Sequence, residues 1–63
     1  MKVSPVDRII LGLLADGLLP KQIAGKLRQK PYTIAQRIYR LKVENECLNH
    51  TALVAKAIRE EVI

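Results

Sequence analysis

Apolar residues recur along this chain at three- and four-residue spacing, in four blocks separated by short polar, Gly- or Pro-bearing gaps. That period marks amphipathic helices, and no stretch shows the alternation of a strand. The first block, Val6, Ile9, Ile10, Leu13 and Leu14, predicts a helix near 5–16. Ser4 and Asp7 form a capping box at its start, Pro5 suits its first position, and Gly17 supplies a left-handed stop followed by Leu18. The second block, Ile23, Ala24 and Leu27, predicts a helix at 20–27 that starts on Pro20. The third, Ile34, Ile38 and Leu41, predicts a helix at 31–43 that starts on Pro31. Asn45 falls on its apolar phase, so the helix is expected to stop before it, with Asn45 as a left-handed cap. The fourth block, Leu53, Val54, Ala57, Ile58 and Val62, predicts a helix at 50–61 capped by Asn49. The expected fold is all-α, one four-helix domain over residues 1–63. Its expected core is Ile10, Leu13, Leu14, Ile23, Leu27, Ile34, Ile38, Leu41, Leu53 and Ala57.

Two of these helices, joined by a turn around Arg28-Gln29-Lys30, have the spacing of a helix-turn-helix. Helix 2 packs across helix 3, and small Ala24 lets their axes approach. At 100° per residue, Tyr32, Gln36, Tyr39 and Val43 point away from the apolar face of helix 3, with Ala35 and Arg40 on its flanks. That outer face is free to enter a major groove, which admits one α-helix.

Charge sharpens this picture. Lys21, Lys26, Arg28, Lys30, Arg37, Arg40 and Lys42 fall in a stretch with no Asp or Glu; Glu44 and Glu46 bring these seven down to the net charge of +5, and the charges elsewhere cancel. A basic field confined to a helix pair is the footprint of phosphate binding. Lys21 and the helix 2 amides are placed for phosphate. Arg40 is expected on phosphate, and the Tyr32 and Tyr39 hydroxyls can reach phosphate or base edges. Gln36 carries the donor and acceptor that suit adenine. Arg37 lies nearer the core side, where it can meet DNA or pair with an acid.

The ordered set Ser4-Pro5, Leu13-Leu14-Ala15-Asp16-Gly17-Leu18, Lys21-Gln22-Ile23-Ala24, Leu27, Pro31-Tyr32-Thr33-Ile34, Ile38 and Asn49-His50-Thr51-Ala52-Leu53-Val54 resembles the LuxR/GerE-type DNA-binding domain, without gaps over essentially the whole chain. The resemblance implies four helices, helix 3 as recognition helix and helix 4 as dimer surface. It also implies DNA contacts at Lys21 and Thr33. Ala35 and Arg37 stand where the family commonly has a basic residue and a His. Leu19-Pro20 replaces a Ser-Asn cap, and Asn45-Glu46-Cys47 replaces Leu-Gly-Val. These departures leave base preference open and point to a divergent, free-standing member with no receiver or ligand-binding domain. On helix 4 the apolar arc is wider than one core requires. Its surplus edge, Thr51, Ala55, Ile58 and Val62, is expected to form a homodimer, unless Ile63 and the tail fold over it.

The expected partner is double-stranded DNA. A second reading makes the chain a module that pairs with a larger LuxR-type regulator and blocks or alters it. Double-stranded RNA fits poorly, because a helix cannot read its deep, narrow major groove. A lone Cys excludes an intramolecular disulfide, and no Cys/His set has zinc spacing. Cys47 reads as an inert, partly buried residue, and His50 as a first-turn polar residue. No nucleophile, base and orienting group sit at usable spacing, so no catalysis, cofactor or metal is expected. No apolar run approaches the ~20 residues of a membrane span, and the expected location is the cytoplasm of a bacterium or phage host, at the nucleoid.

Overall fold

A computed structural model describes residues 1–63. It contains four helices and no strand: α1 Pro5–Ala15, α2 Pro20–Leu27, α3 Pro31–Glu44 and α4 His50–Arg59. All four starts lie where the caps predict them. Asp7 N–H donates to Ser4 Oγ at 3.1 Å, and Ser4 N–H donates to Asp7 Oδ2 at 3.2 Å. Ala52 N–H donates to Asn49 Oδ1 at 2.8 Å. At α2 the cap residue is Leu19, which has no polar side chain; Gln22 Oε1 takes the Leu19 N–H instead, at 2.8 Å.

The four helices end in one way. The N–H of Leu18, Gln29, Cys47 and Val62 reaches back to the carbonyl of Leu13, Ala24, Lys42 and Ala57, at 3.1, 2.9, 2.8 and 2.8 Å. The residue before each donor is left-handed: Gly17 (φ 92°), Arg28 (55°), Glu46 (56°) and Glu61 (56°). This is the Schellman closure. It corrects the expected boundaries: α1 stops at Ala15, α3 runs on to Glu44, and α4 stops at Arg59 because Glu61 turns the chain back. Asn45 is not the left-handed residue of its turn, having φ −107°; Glu46 is.

The core comprises Ile10 and Leu11 of α1, Ile23 and Ala24 of α2, Ile34, Ile38 and Leu41 of α3, and Leu53 and Ala57 of α4. Leu11, absent from the expected core, is fully buried, whereas Leu13, Leu14 and Leu27 lie half-buried at its edge. Val6 and Ile9, expected to face inward, are 43% and 53% exposed. Helix α1 instead buries Ile10 and Leu11 completely. Asp7 shares their face with Leu14 at helical spacing, and its carboxylate meets Arg37 Nη1 of α3 at 3.3 Å.

An N-terminal strap completes the packing. Met1 and Val3 lie against the core. Lys2 N–H donates to Asn45 Oδ1 at 3.0 Å, and Asn45 Nδ2 donates to Leu41 O at 2.9 Å and to Lys2 O at 3.4 Å. Asn45, 5% exposed, is the only buried polar residue. Its own carbonyl accepts from Lys56 Nζ at 3.0 Å. Beside the strap, the Met1 amine pairs with Glu60 Oε1 at 2.6 Å.

Candidate nucleic-acid interface

Helices α2 and α3 pack on one another more extensively than any other pair. Ile23, Ala24, Ile34 and Ile38 are all buried in the core they share. Ala24, the smallest of them, is 1% exposed. The connection is only three residues, Arg28 to Lys30, and left-handed Arg28 makes its sharp bend. The opposite side of α3 is therefore left to solvent. Tyr32 is 71% exposed, Tyr39 66% and Val43 58%, and Ala35, Gln36 and Arg40 are exposed beside them. Thr33 is half-buried at the base of this face. Gln36 Nε2 donates to the Tyr32 hydroxyl at 2.7 Å, an i, i+4 bond along the outer surface.

Cations line the helix pair and its turn. Lys21 is exposed in the first turn of α2; Lys26, Arg28, Lys30 and Arg40 are exposed, and Lys42 is half-buried. None of these six has a carboxylate partner within 4 Å. Arg37 is the exception. It pairs with Asp7 of α1 at 3.3 Å while its side chain stays 41% exposed, the acid pairing that its place near the core side allows. The structure thus gathers Lys21, Tyr32, Ala35, Gln36, Tyr39 and Arg40 on open surface, with Thr33 partly covered and Arg37 paired with Asp7. Lys26, Arg28 and Lys30 join them. The acid-free stretch of sequence was their signal, but nothing local indicated that left-handed Arg28 would bring the turn to the surface.

On α4, Thr51, Ala55 and Ile58 are exposed, Ile58 by 55%. Val62 is half-buried and packs on the core, folded back by the Glu61 turn. Leu48, just before the helix, is 94% exposed. A depression of about 220 Å³ lies nearby, lined by Leu14, Ala15, His50, Thr51 and Val54. Burial, and then the charge of Lys42, hold the His50 pKa below its ordinary 6.5. Cys47 is a half-buried free thiol whose Sγ lies 3.4 Å from the Asn45 carbonyl. No group of three or more His, Cys, Asp or Glu is placed to hold a metal ion, and no helix is long and apolar enough to cross a membrane. Compared with models of protein families, with curated proteins and with solved structures, the chain matches none.

Proposed function

We propose that this chain is a helix-turn-helix protein that binds double-stranded DNA sequence-specifically and regulates transcription, as its LuxR/GerE-like sequence implies. Helix α3 lies in the major groove, while Lys21, the α2–α3 turn and Arg40 meet phosphates on either side. One observation carries this reading: a solvent-facing helix surface, free of acids from Pro31 to Val43, with five exposed cations of α2, the turn and α3 that have no ion-pair partner. Unpaired cations are available to displace the counterions of DNA, the main source of affinity for a duplex. The exposed side chains between them are available to base edges.

The functional unit is a homodimer through α4. Thr51 and Ala55 are small enough for close helix approach, and Ile58 gains burial. Two-fold pairing sets two recognition helices about 34 Å apart, one turn of DNA, and favours an inverted-repeat site. The test is fluorescence anisotropy on a labelled random-sequence DNA duplex, a single strand and an RNA duplex, together with sedimentation of the free protein. Salt-sensitive binding to the DNA duplex is expected. Equal, salt-insensitive signals on all three would refute the DNA reading. A protein that stays monomeric at high concentration and is indifferent to Ala55→Glu would remove the dimer.

A second reading has its own support. Val6 and Ile9 leave an apolar strip on α1, beside a depression of about 260 Å³ that also reaches Leu27 and Ile34. Such a strip suits a module that pairs with a larger LuxR-type regulator and modulates or blocks it. Absence of duplex binding, with tight capture of a LuxR-type regulator, would favour it.

A further inference from the structure

We propose that α3 reads an A·T-rich major groove, with Gln36 on adenine, Tyr39 and Val43 on thymine methyls, and Tyr32 as the positioning residue that fixes the Gln36 amide. The proposal rests on the duplex-binding reading above and names the base class that reading leaves open.

The outer arc of α3 lacks what guanine requires. Guanine offers two acceptors in the major groove, N7 and O6, and is met most often by a cation with two donors. Here the positions at the centre of the outer face are Tyr32, Gln36, Tyr39 and Val43, with no Lys or Arg among them, and Ala35 and Arg40 stand on its flanks. Arg37, the cation closest in sequence to Gln36, has Nη1 on Asp7. Arg40 borders the same depression as Gln36, Tyr39 and Val43, and it is assigned to phosphate.

Gln36 is not a free amide. Its Nε2 donates one N–H to the Tyr32 hydroxyl at 2.7 Å. One N–H and the Oε1 acceptor remain for a ligand. That pair complements adenine, whose N7 accepts and whose N6 amino group donates. Opposite guanine, the same Oε1 would face O6, acceptor against acceptor. Without the Tyr32 hydroxyl the amide is free to turn, and both N–H groups can then serve N7 and O6. Tyr32 therefore discriminates without touching the purine.

The neighbouring surface is apolar. Tyr39 and Val43, one turn apart and 66% and 58% exposed, line a depression of about 270 Å³ together with Gln36 and Arg40. The one apolar group on the major-groove floor is the thymine C5 methyl. Gln36 and Tyr39 are separated by about 4.5 Å along the helix axis, close to the ~3.4 Å rise of one base pair. Adenine under Gln36 therefore places the next base pair under Tyr39, where a methyl on either strand fills apolar space.

The experiment uses the full chain, a pool of duplexes with a randomised centre, one fixed salt concentration, and sequencing of the bound pool for wild type, Tyr32→Phe and Gln36→Ala. Adjacent A·T pairs should dominate the wild-type pool. Replacing thymine by deoxyuridine in the enriched duplexes should weaken binding about fourfold per contacted methyl. Tyr32→Phe should narrow the adenine-over-guanine preference by about two- to tenfold. Both side chains are exposed, so helicity should be unchanged. Enrichment of G·C pairs, indifference to deoxyuridine, or an unchanged preference in Tyr32→Phe overturns the proposal. Duplex retained with no base preference overturns it while leaving the DNA-binding reading intact. No duplex retained at low salt removes both.

Discussion

The contrast between Lys21 and Arg37 gives the sharpest test of the interface. Both are basic and both fall in the acid-free stretch, but only Arg37 has an acid partner. Each phosphate contact adds about −0.9 to the slope of log affinity against log salt. If the five exposed unpaired cations engage, the slope is about −4.5 per protomer, and a fourfold rise in salt costs about five hundredfold in affinity. Lys21→Gln should flatten that slope by about 0.9. Arg37→Gln should leave it nearly unchanged and act on the fold instead. The Arg37 and Asp7 side chains are 41% and 18% exposed, so the lost pair is worth about 0.5–1 kcal/mol, or a few degrees in Tm. The assay is anisotropy of a labelled duplex titrated at several KCl concentrations, paired with thermal melts of each variant. Equal flattening by the two substitutions would show that the Asp7–Arg37 tie does not hold in solution. No flattening by Lys21→Gln would remove α2 from the DNA.

Three further outcomes concern stability. Asn45→Ala should destabilise by about 2–3 kcal/mol, because it strips the Lys2 and Leu41 backbone groups of their partner at a buried site; a Tm within about 3 °C of wild type would contradict this. Glu46→Gly should raise stability by about 0.5–1 kcal/mol by relieving a left-handed non-Gly residue, whereas Gly17→Ala should lower it; melts with the opposite order would show that the turns are not built as described. Because the His50 pKa is lowered in the folded state, the unfolded chain takes up the proton first. This contribution is therefore fully present above about pH 6.5 and is lost as pH falls through the lower folded value. Urea melts across that window should show a positive slope of stability with pH that His50→Gln reduces; an unaltered slope would assign it to other groups.

The faces of α3 were legible because one side is uninterrupted aliphatic, Ile34, Ile38 and Leu41, and the other polar and aromatic. Local periodicity alone decides such a case. Helix α1 has apolar residues on nearly every side, so periodicity fixed its existence but not its rotation. That depended on which residues the other helices bury, Ile10 and Leu11, on the face where Asp7 meets Arg37, thirty positions away. The stops follow the same division. Gly17 announces itself, but Arg28, Glu46 and Glu61 adopt the same left-handed geometry with side chains that carry no such signal. Asn45 was read as an interruption because it is polar on an apolar phase. It is instead a buried residue engaged by the backbone of Leu41 and of Lys2, the second a partner no local pattern names. At the candidate site, the cations and outward residues were readable from spacing. Which cation was already taken, and which hydroxyl holds Gln36, required three dimensions.

The strap has a kinetic consequence. Its bonds join residues 43 and 59 positions apart, whereas α2 and α3 are linked by three residues. Closing a long loop costs more chain entropy than closing a short one, and local contacts form sooner. The α2–α3 hairpin should therefore assemble early and the strap close last. Substitutions at Ala24 or Ile34 should chiefly slow folding, and those at Asn45 chiefly speed unfolding. In the folded ensemble the strap should open and reclose while the helix pair stays protected from hydrogen exchange, so fluctuations at one end of the molecule leave the shape of the other unchanged.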